Sequence, residues 1–288
     1  MLAYLDGPAA DLAFRRGWTH GVPALLVLPF LLAGAVIAFD RVVRRMGRAV
    51  LPSGVEPREV LLLAGLSILT HPVLDTLNTY GVRWLMPARG DWFYGDALYI
   101  LDPWLWLVLG IGVLASSRGR SVAGSKAAGG RPARLALATG AVYVAGMVGS
   151  GLIARGIVRR ELEARGGPPV ERLMVGPRPL TPFVRQVVAA QGERYQAGTF
   201  RWFVRPHVQG LRSFARPSPD DPALAAARAT PLGRRFLGWA RFPTVQTEPG
   251  ADGTQLHLID LRYADRPGSG FGSVTVSMAG TRPDAPAR

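Results

Sequence analysis

The sequence predicts a membrane protein in two parts. An all-helical bundle of about four transmembrane helices occupies residues 1–157, and a small soluble α+β domain occupies residues 158–288. Three observations predict it. Mean hydropathy is +0.16, whereas a soluble chain of this size needs enough polar surface to fall below zero. The long apolar runs are confined to the first half, and the second half is polar and rich in proline and arginine. Basic residues also alternate from loop to loop, as a multi-pass topology requires.

The first span covers residues 21–39 and carries no charge. Pro23 and Pro29 bend it, which membrane helices tolerate. The second covers about residues 60–79. It opens as VLLLAGLSILT and continues as HPVLDTLNT, so a lipid-compatible half is followed by His71, Asp75 and Asn78. The third covers about residues 98–116, with Asp102 near its start. The fourth covers about residues 135–157, where Gly140, Ala145, Gly146, Gly149 and Gly151 suit close helix packing. Residues 40–59 and 117–134 carry five basic side chains each, and residues 80–97 carry two, Arg83 and Arg89. Lysine and arginine concentrate on the cytoplasmic side. The 80–97 loop and the C-terminal domain are therefore expected outside the bacterial inner membrane. Arg155, Arg159 and Arg160 argue the other way but are outvoted by the internal loops. In the tail, strands are expected at residues 194–203, 255–264 and 272–278, and helices at 181–191 and 221–236. Pro/Gly-rich connectors are expected at 165–182 and 217–222.

Composition narrows the chemistry. There is no cysteine, which excludes disulfides, thiol catalysis and zinc–cysteine sites. The net charge is +14, almost entirely from arginine, since Lys126 is the only lysine. The arginines are spread through loops and tail with no compact run and no RNA-binding, zinc-finger or basic-zipper pattern. Membrane lipids are therefore the expected partner and nucleic acid is not. No P-loop, dinucleotide motif or serine-hydrolase elbow is present, and the first residues lack a secretory signal pattern.

His71 and Asp75 are four residues apart, which places them on one face of a helix, with Asn78 extending that face. Ionisable groups inside a span are costly and usually serve a function. A neutral imidazole and a carboxylate one turn apart can share a divalent metal. Alternatively, they can hydrogen-bond and stitch two helices. The predicted topology adds His20 before the first span, Asp91 and Asp96 in the outer loop, and Asp102 at the mouth of the third span, all near one membrane face. That clustering favours a metal. Two histidines with carboxylates suit zinc or another first-row ion. His257, which alternates with Leu256 and Leu258, reads as a structural residue of a strand.

At these same residues the sequence resembles a known family. The segments RRGWTH (ending at His20), HPVLDTLNTYGVRWLMP (starting at His71) and GDALYILDP (ending at Pro103) resemble the bacterial membrane-bound, metal-dependent hydrolases. That family is typified by an inner-membrane protein under SOS-response control. The tail motifs WFVRPH and LIDLRYAD are similar to the extracytoplasmic extension of a subgroup. The resemblance implies a distant relation to zinc-dependent phospholipase C and P1-type nucleases, whose ligands are His and Asp. It implies a hydrolase acting on a phosphoester or a lipid. Many relatives carry His where Arg15 stands. They also begin with an earlier span bearing a Thr-His pair and a Pro-Asp-x-Asp turn, so the resemblance implies either further ligands from a segment upstream of Met1 or a member that has lost them. The resulting expectation is a metal held by His20, His71 and Asp75. Asp96 and Asp102 are the catalytic candidates, either able to accept a proton, and Arg83 is the candidate for an anionic substrate. The competing expectation is a non-catalytic membrane scaffold or stress protein with a degenerate site. A transporter moving protons or metal through His71 and Asp75 is less favoured, because the spans show no inverted repeat.

Overall fold

The computed structural model describes residues 16–52, 55–123, 126–250, 253–269 and 271–279. Arg15 lies outside the described residues. Among the described residues four helices come first: α1 (Val22–Arg45), α2 (Pro57–Thr76), α3 (Pro103–Ala123) and α4 (Lys126–Ala164). Proline stands in the first turn of α1 and of α2, where its missing N–H costs nothing. A capping box between Glu56 and Glu59 starts α2. Arg44 and Arg45 close α1 against its negative dipole end. The helices α1 and α2 pack through Ala33, Val60 and Ala64, while Leu26, Phe30, Leu62 and Leu63 remain exposed. An outer surface of this kind is compatible with lipid and not with water.

By length and composition, α1, α2 and α4 (over Gly130–Ala164) can each cross a membrane. The apolar part of α3, Pro103–Arg118, is shorter, so the third span, expected at about residues 98–116, is reduced to a short partner of α4. The two form an antiparallel hairpin built on small residues. A Cβ placed on Gly112 would run into the Cβ of Ala136, and one on Gly140 would lie 3.3 Å from Leu105. Gly112→Leu is therefore expected to force the helices apart and cost about 1–3 kcal/mol, read as a lowered thermal midpoint of the detergent-purified protein. An unchanged midpoint would show that the crossing is loose.

α4 has 39 residues, on the order of 58 Å at 1.5 Å per residue, about twice a ~30 Å hydrocarbon core. It runs without a break through residue 157. Its last turns are part of the C-terminal domain, where Ala154, Val158 and Leu162 share a buried cluster with Leu173, Val175, Val187 and Phe200.

That domain holds two antiparallel sheets. The first is a meander of β1 (Val170–Arg178), β2 (Thr181–Gln191), β3 (Arg194–Arg201) and β4 (His207–Ala215). The second is β5 (Pro243–Gly250), β6 (Gly253–Asp260) and β7 (Ser273–Ala279). Between them lie two short helices, α5 (Pro222–Ala229) and α6 (Pro231–Trp239). One face of the first sheet packs on α4. The other meets Phe242 and Leu261 through Met174, Val188 and Tyr195.

Three sequence expectations are corrected here. Residues 181–191 form a strand and not a helix. β2 lies inside its sheet and buries both faces, with Val187, Val188 and Ala189 fully covered. The period-2 alternation that marks a strand is thereby lost. The 165–182 connector contains β1. Gly166 and Gly167, both at positive φ, turn the chain out of α4 and the strand starts at once. The helix expected at 221–236 is two helices, broken at Thr230–Pro231, with Asp221 and Thr230 each accepting a backbone N–H as caps.

Candidate metal centre

The centre forms where the start of α1 meets the end of α2. Residues 16–20 make a turn, closed by Gly21 N–H donating to Gly17 O at 2.7 Å, and the turn presents His20. One turn before its end, α2 presents His71 and Asp75. The Nε2 atoms of His20 and His71 lie 3.2 and 3.5 Å from the same oxygen, Asp75 Oδ2. The two rings are 5.1 Å apart. One ligand atom from each residue lies within 4.8 Å of the others.

The second oxygen of Asp75 is held from behind. Asn78 Nδ2 donates to Oδ1 at 3.3 Å, and Arg16 Nη2 stands 3.3 Å from it. Asn78 is not on the helix face expected from its spacing, because α2 ends at Thr76. It is buried in the following turn, where its Oδ1 accepts from the backbone N–H of Tyr80 and Gly81 and from Arg16 Nη1. Thr19 Oγ1 lies 2.6 Å from His20 Nδ1 and so fixes that ring. The side chains of Arg16, His20 and Asp75 are only 12–14% exposed, while His71 is 68% exposed. The centre is thus walled on three sides and open at His71.

The structure brings together His20, His71 and Asp75 and holds the other candidates elsewhere. Asp96, 2% exposed, accepts from Arg155 of α4 at 2.8 Å and from Arg241 before β5 at 2.8 and 3.0 Å. It ties the loop between α2 and α3 to both the membrane helix and the domain. Asp102 caps α3 by accepting the backbone N–H of Trp104 and Leu105, and both its oxygens accept from Tyr143 Oη at 3.0 Å. Neither carboxylate belongs to the histidine group. Arg83 is partly buried behind the Arg16–Gly17 turn. A Cβ on Gly17 would lie 2.6 Å from its guanidinium, which sits 4.9 Å over the Trp92 ring, and burial pulls its pKa below the ordinary arginine value. Asp91 makes an exposed pair with Arg89. His257, in β6, has its Nδ1 2.9 Å from Thr275 Oγ1.

Sequence reasoning missed Arg16 and Thr19. The available signal for Thr19 was its adjacency to His20. Arg16 sits at φ 54, outside helical geometry, so no helical spacing announces it.

The fold and the centre define a class: a membrane protein with apolar helices whose ends carry a two-histidine, one-aspartate group, joined to a β-rich domain. The YdjM inner membrane protein family matches residues 2–157 of this chain, and the chain belongs to that family. No curated protein and no solved structure matches it.

Proposed function

We propose that the chain is a membrane-bound, metal-dependent hydrolase of the extracytoplasmic face. In this reading a first-row divalent ion, zinc by preference, is held by His20 Nε2, His71 Nε2 and Asp75 Oδ2. The observation that carries it is the convergence of two imidazole Nε2 atoms on one carboxylate oxygen. The other oxygen is already held by Arg16 and Asn78, which leaves Oδ2 for a ligand. Three nitrogen and oxygen donors with an open side is the pattern of catalytic rather than closed structural zinc sites. A bound ion would lower the pKa of a water and polarise a carbonyl or phosphoryl oxygen.

The protein's own residues supply the rest. Arg16 and Asn78 orient Asp75, Thr19 fixes His20, and exposed His71 faces incoming substrate. A phosphoester or lipid headgroup is the substrate class proposed, because the group sits at the end of two membrane helices. Arg83, whose backbone N–H donates to Arg16 O, is the residue proposed to favour an anion. Asp96 and Asp102 act in this reading as joints of the framework. The outward orientation is supported by the basic loops, and by Arg155 and Arg159, which are engaged by Asp96 and Val170 O and so do not act as free topological charges.

Elemental analysis of detergent-purified protein tests the proposal. The parent is expected to carry stoichiometric metal, and His71→Ala and Asp75→Ala to lose it. Asn78→Ala is expected to weaken binding ~10–100-fold, as partners behind a ligand do, and Asp91→Ala to leave it unchanged. One observation favours the competing scaffold reading: Arg16 already supplies a cation to Asp75. In that case the group pins residues 16–20 to α2, neither parent nor variants carry metal, and His71→Ala and Asp75→Ala lose stability instead.

A further inference from the structure

A groove of about 590 Å³ lies between α4 and one end of the first sheet. Tyr143, Met147 and Ser150 of α4 form one wall, and Phe183, Trp202 and Phe203 form the other. Its volume is that of a small-molecule site, roughly 300–1,000 Å³, and its walls are almost wholly apolar. None of these residues belongs to the histidine group.

The two hairpin tips that frame the groove carry an unusual sequence. Leu180 ends the β1–β2 turn at φ 66, and Val204 lies in the β3–β4 turn at φ 73. Both are left-handed positions, usual for glycine or asparagine and disfavoured for a branched aliphatic residue. Both side chains are nevertheless thrust outward, Leu180 at 73% exposure and Val204 fully exposed. The Phe183 and Phe203 rings meet at a tilt, with centroids 4.5 Å apart, and remain about half exposed or more. In water this arrangement gains nothing for its strain. In hydrocarbon it does.

The depth is set by Trp104. Its indole N–H donates to Leu180 O at 3.2 Å, and it stands at the start of the apolar stretch of α3. Tryptophan at the mouth of a span marks the headgroup level, so the tips lie at that level too. The exposed Arg201 and Arg205 flank the Trp202–Val204 tip on both sides in sequence.

An apolar trough at headgroup depth, beside a tip flanked by two exposed arginines, matches one chemistry. We infer that the groove seats an acyl chain of an anionic phospholipid from the surrounding leaflet. The phosphate lies by Arg201 and Arg205, and Leu180 and Val204 dip into the same leaflet. The seat fastens the domain to the bilayer through lipid as well as through α4. It does not depend on the metal reading.

The test uses the full chain with a photoreactive benzoylphenylalanine at Phe203, in nanodiscs of phosphatidylcholine with or without phosphatidylglycerol. Illumination is expected to add one phospholipid to the protein by mass, with phosphatidylglycerol enriched several-fold over its share of the bilayer. The same probe at exposed Glu248 of β5 is expected to capture none. Arg201→Gln with Arg205→Gln is expected to return the captured lipid to the bulk ratio. Gly146→Phe fills the groove from a position where a Cβ meets nothing within 4 Å, so the fold survives and capture drops several-fold. Capture of a second protein chain in place of lipid would overturn the proposal. So would no lipid adduct from folded protein, or an adduct that Gly146→Phe leaves unchanged.

Discussion

Asp96→Asn is expected to destabilise the protein by about 3 kcal/mol, the lower end of the ~3–5 kcal/mol lost when one partner of a buried ion pair is removed. The carboxylate is buried and its two arginine partners are not equally so. Arg241 is 13% exposed and keeps a buried charge without its anion, while Arg155 is 37% exposed and can turn to water. The backbone is not the cause of the loss. Asp96 sits at φ 51, a conformation asparagine tolerates as well as aspartate. The substitution therefore isolates the charge. Arg155→Gln is expected to cost markedly less than Asp96→Asn. Chemical unfolding of the detergent-solubilised protein, followed by tryptophan fluorescence, gives both values. A change below about 0.5 kcal/mol for Asp96→Asn, the size usual for an indifferent surface substitution, would show that the three-way joint does not hold the loop.

Asp96 also illustrates how far the sequence could be read. It lies in the loop that carries the Thr-Tyr-Gly turn, and on local grounds it belongs with the histidine group. Its real partners come from 59 and 145 residues away, and no local pattern announces such a pairing. His71 and Asp75 were legible because a helical period of 3.6 puts spacing and geometry in direct correspondence. His20 was legible only through topology, as the last histidine before a span. Arg16 was not legible, because its backbone at φ 54 follows no helical spacing.

The helices were legible for a similar reason, since a lipid-facing segment must be apolar all round. The helix α4 exceeded its expected end because its last turns change environment without changing conformation. Ala154, Val158 and Leu162 leave lipid and enter a protein core, and both environments ask for the same apolar residues. In β2 the opposite happened: one conformation served two buried faces, and the alternation that would have identified it disappeared. Arg155, Arg159 and Arg160 read as topological charges, whereas they are tied to Asp96, Val170 O and Gly156 O.

The largest coupled effect is expected at Arg262, which joins the domain to the candidate centre. Its side chain is fully buried. It bonds Asp260 Oδ2 through Nε and Nη2 at 2.9 and 2.7 Å, and donates to Trp239 O at 2.9 Å and to Thr79 O at 2.8 Å. Burial disfavours its charge, but Asp260 and Tyr263 hold the pKa above the ordinary arginine value, so it stays a cation at any pH the protein meets. Thr79 follows Asn78, the residue that orients Asp75, and Tyr263 Oη lies 3.3 Å from Thr79 Oγ1. The domain therefore grips the turn from which the centre is built. Arg262→Met is expected to cost ~3–5 kcal/mol, because Asp260 keeps a buried charge without its cation. If the proposed metal is bound, its affinity is also expected to fall ~10-fold, the lower end for partners one step behind a ligand. The double variant Asp260→Asn/Arg262→Met separates the two effects. Removing both charges is expected to restore most of the stability, whereas the lost donor to Thr79 O is not replaced. Stability that returns while metal affinity stays low would assign the coupling to the Thr79 contact. Affinity that returns with stability would mean that Arg262 acts only by holding the domain together.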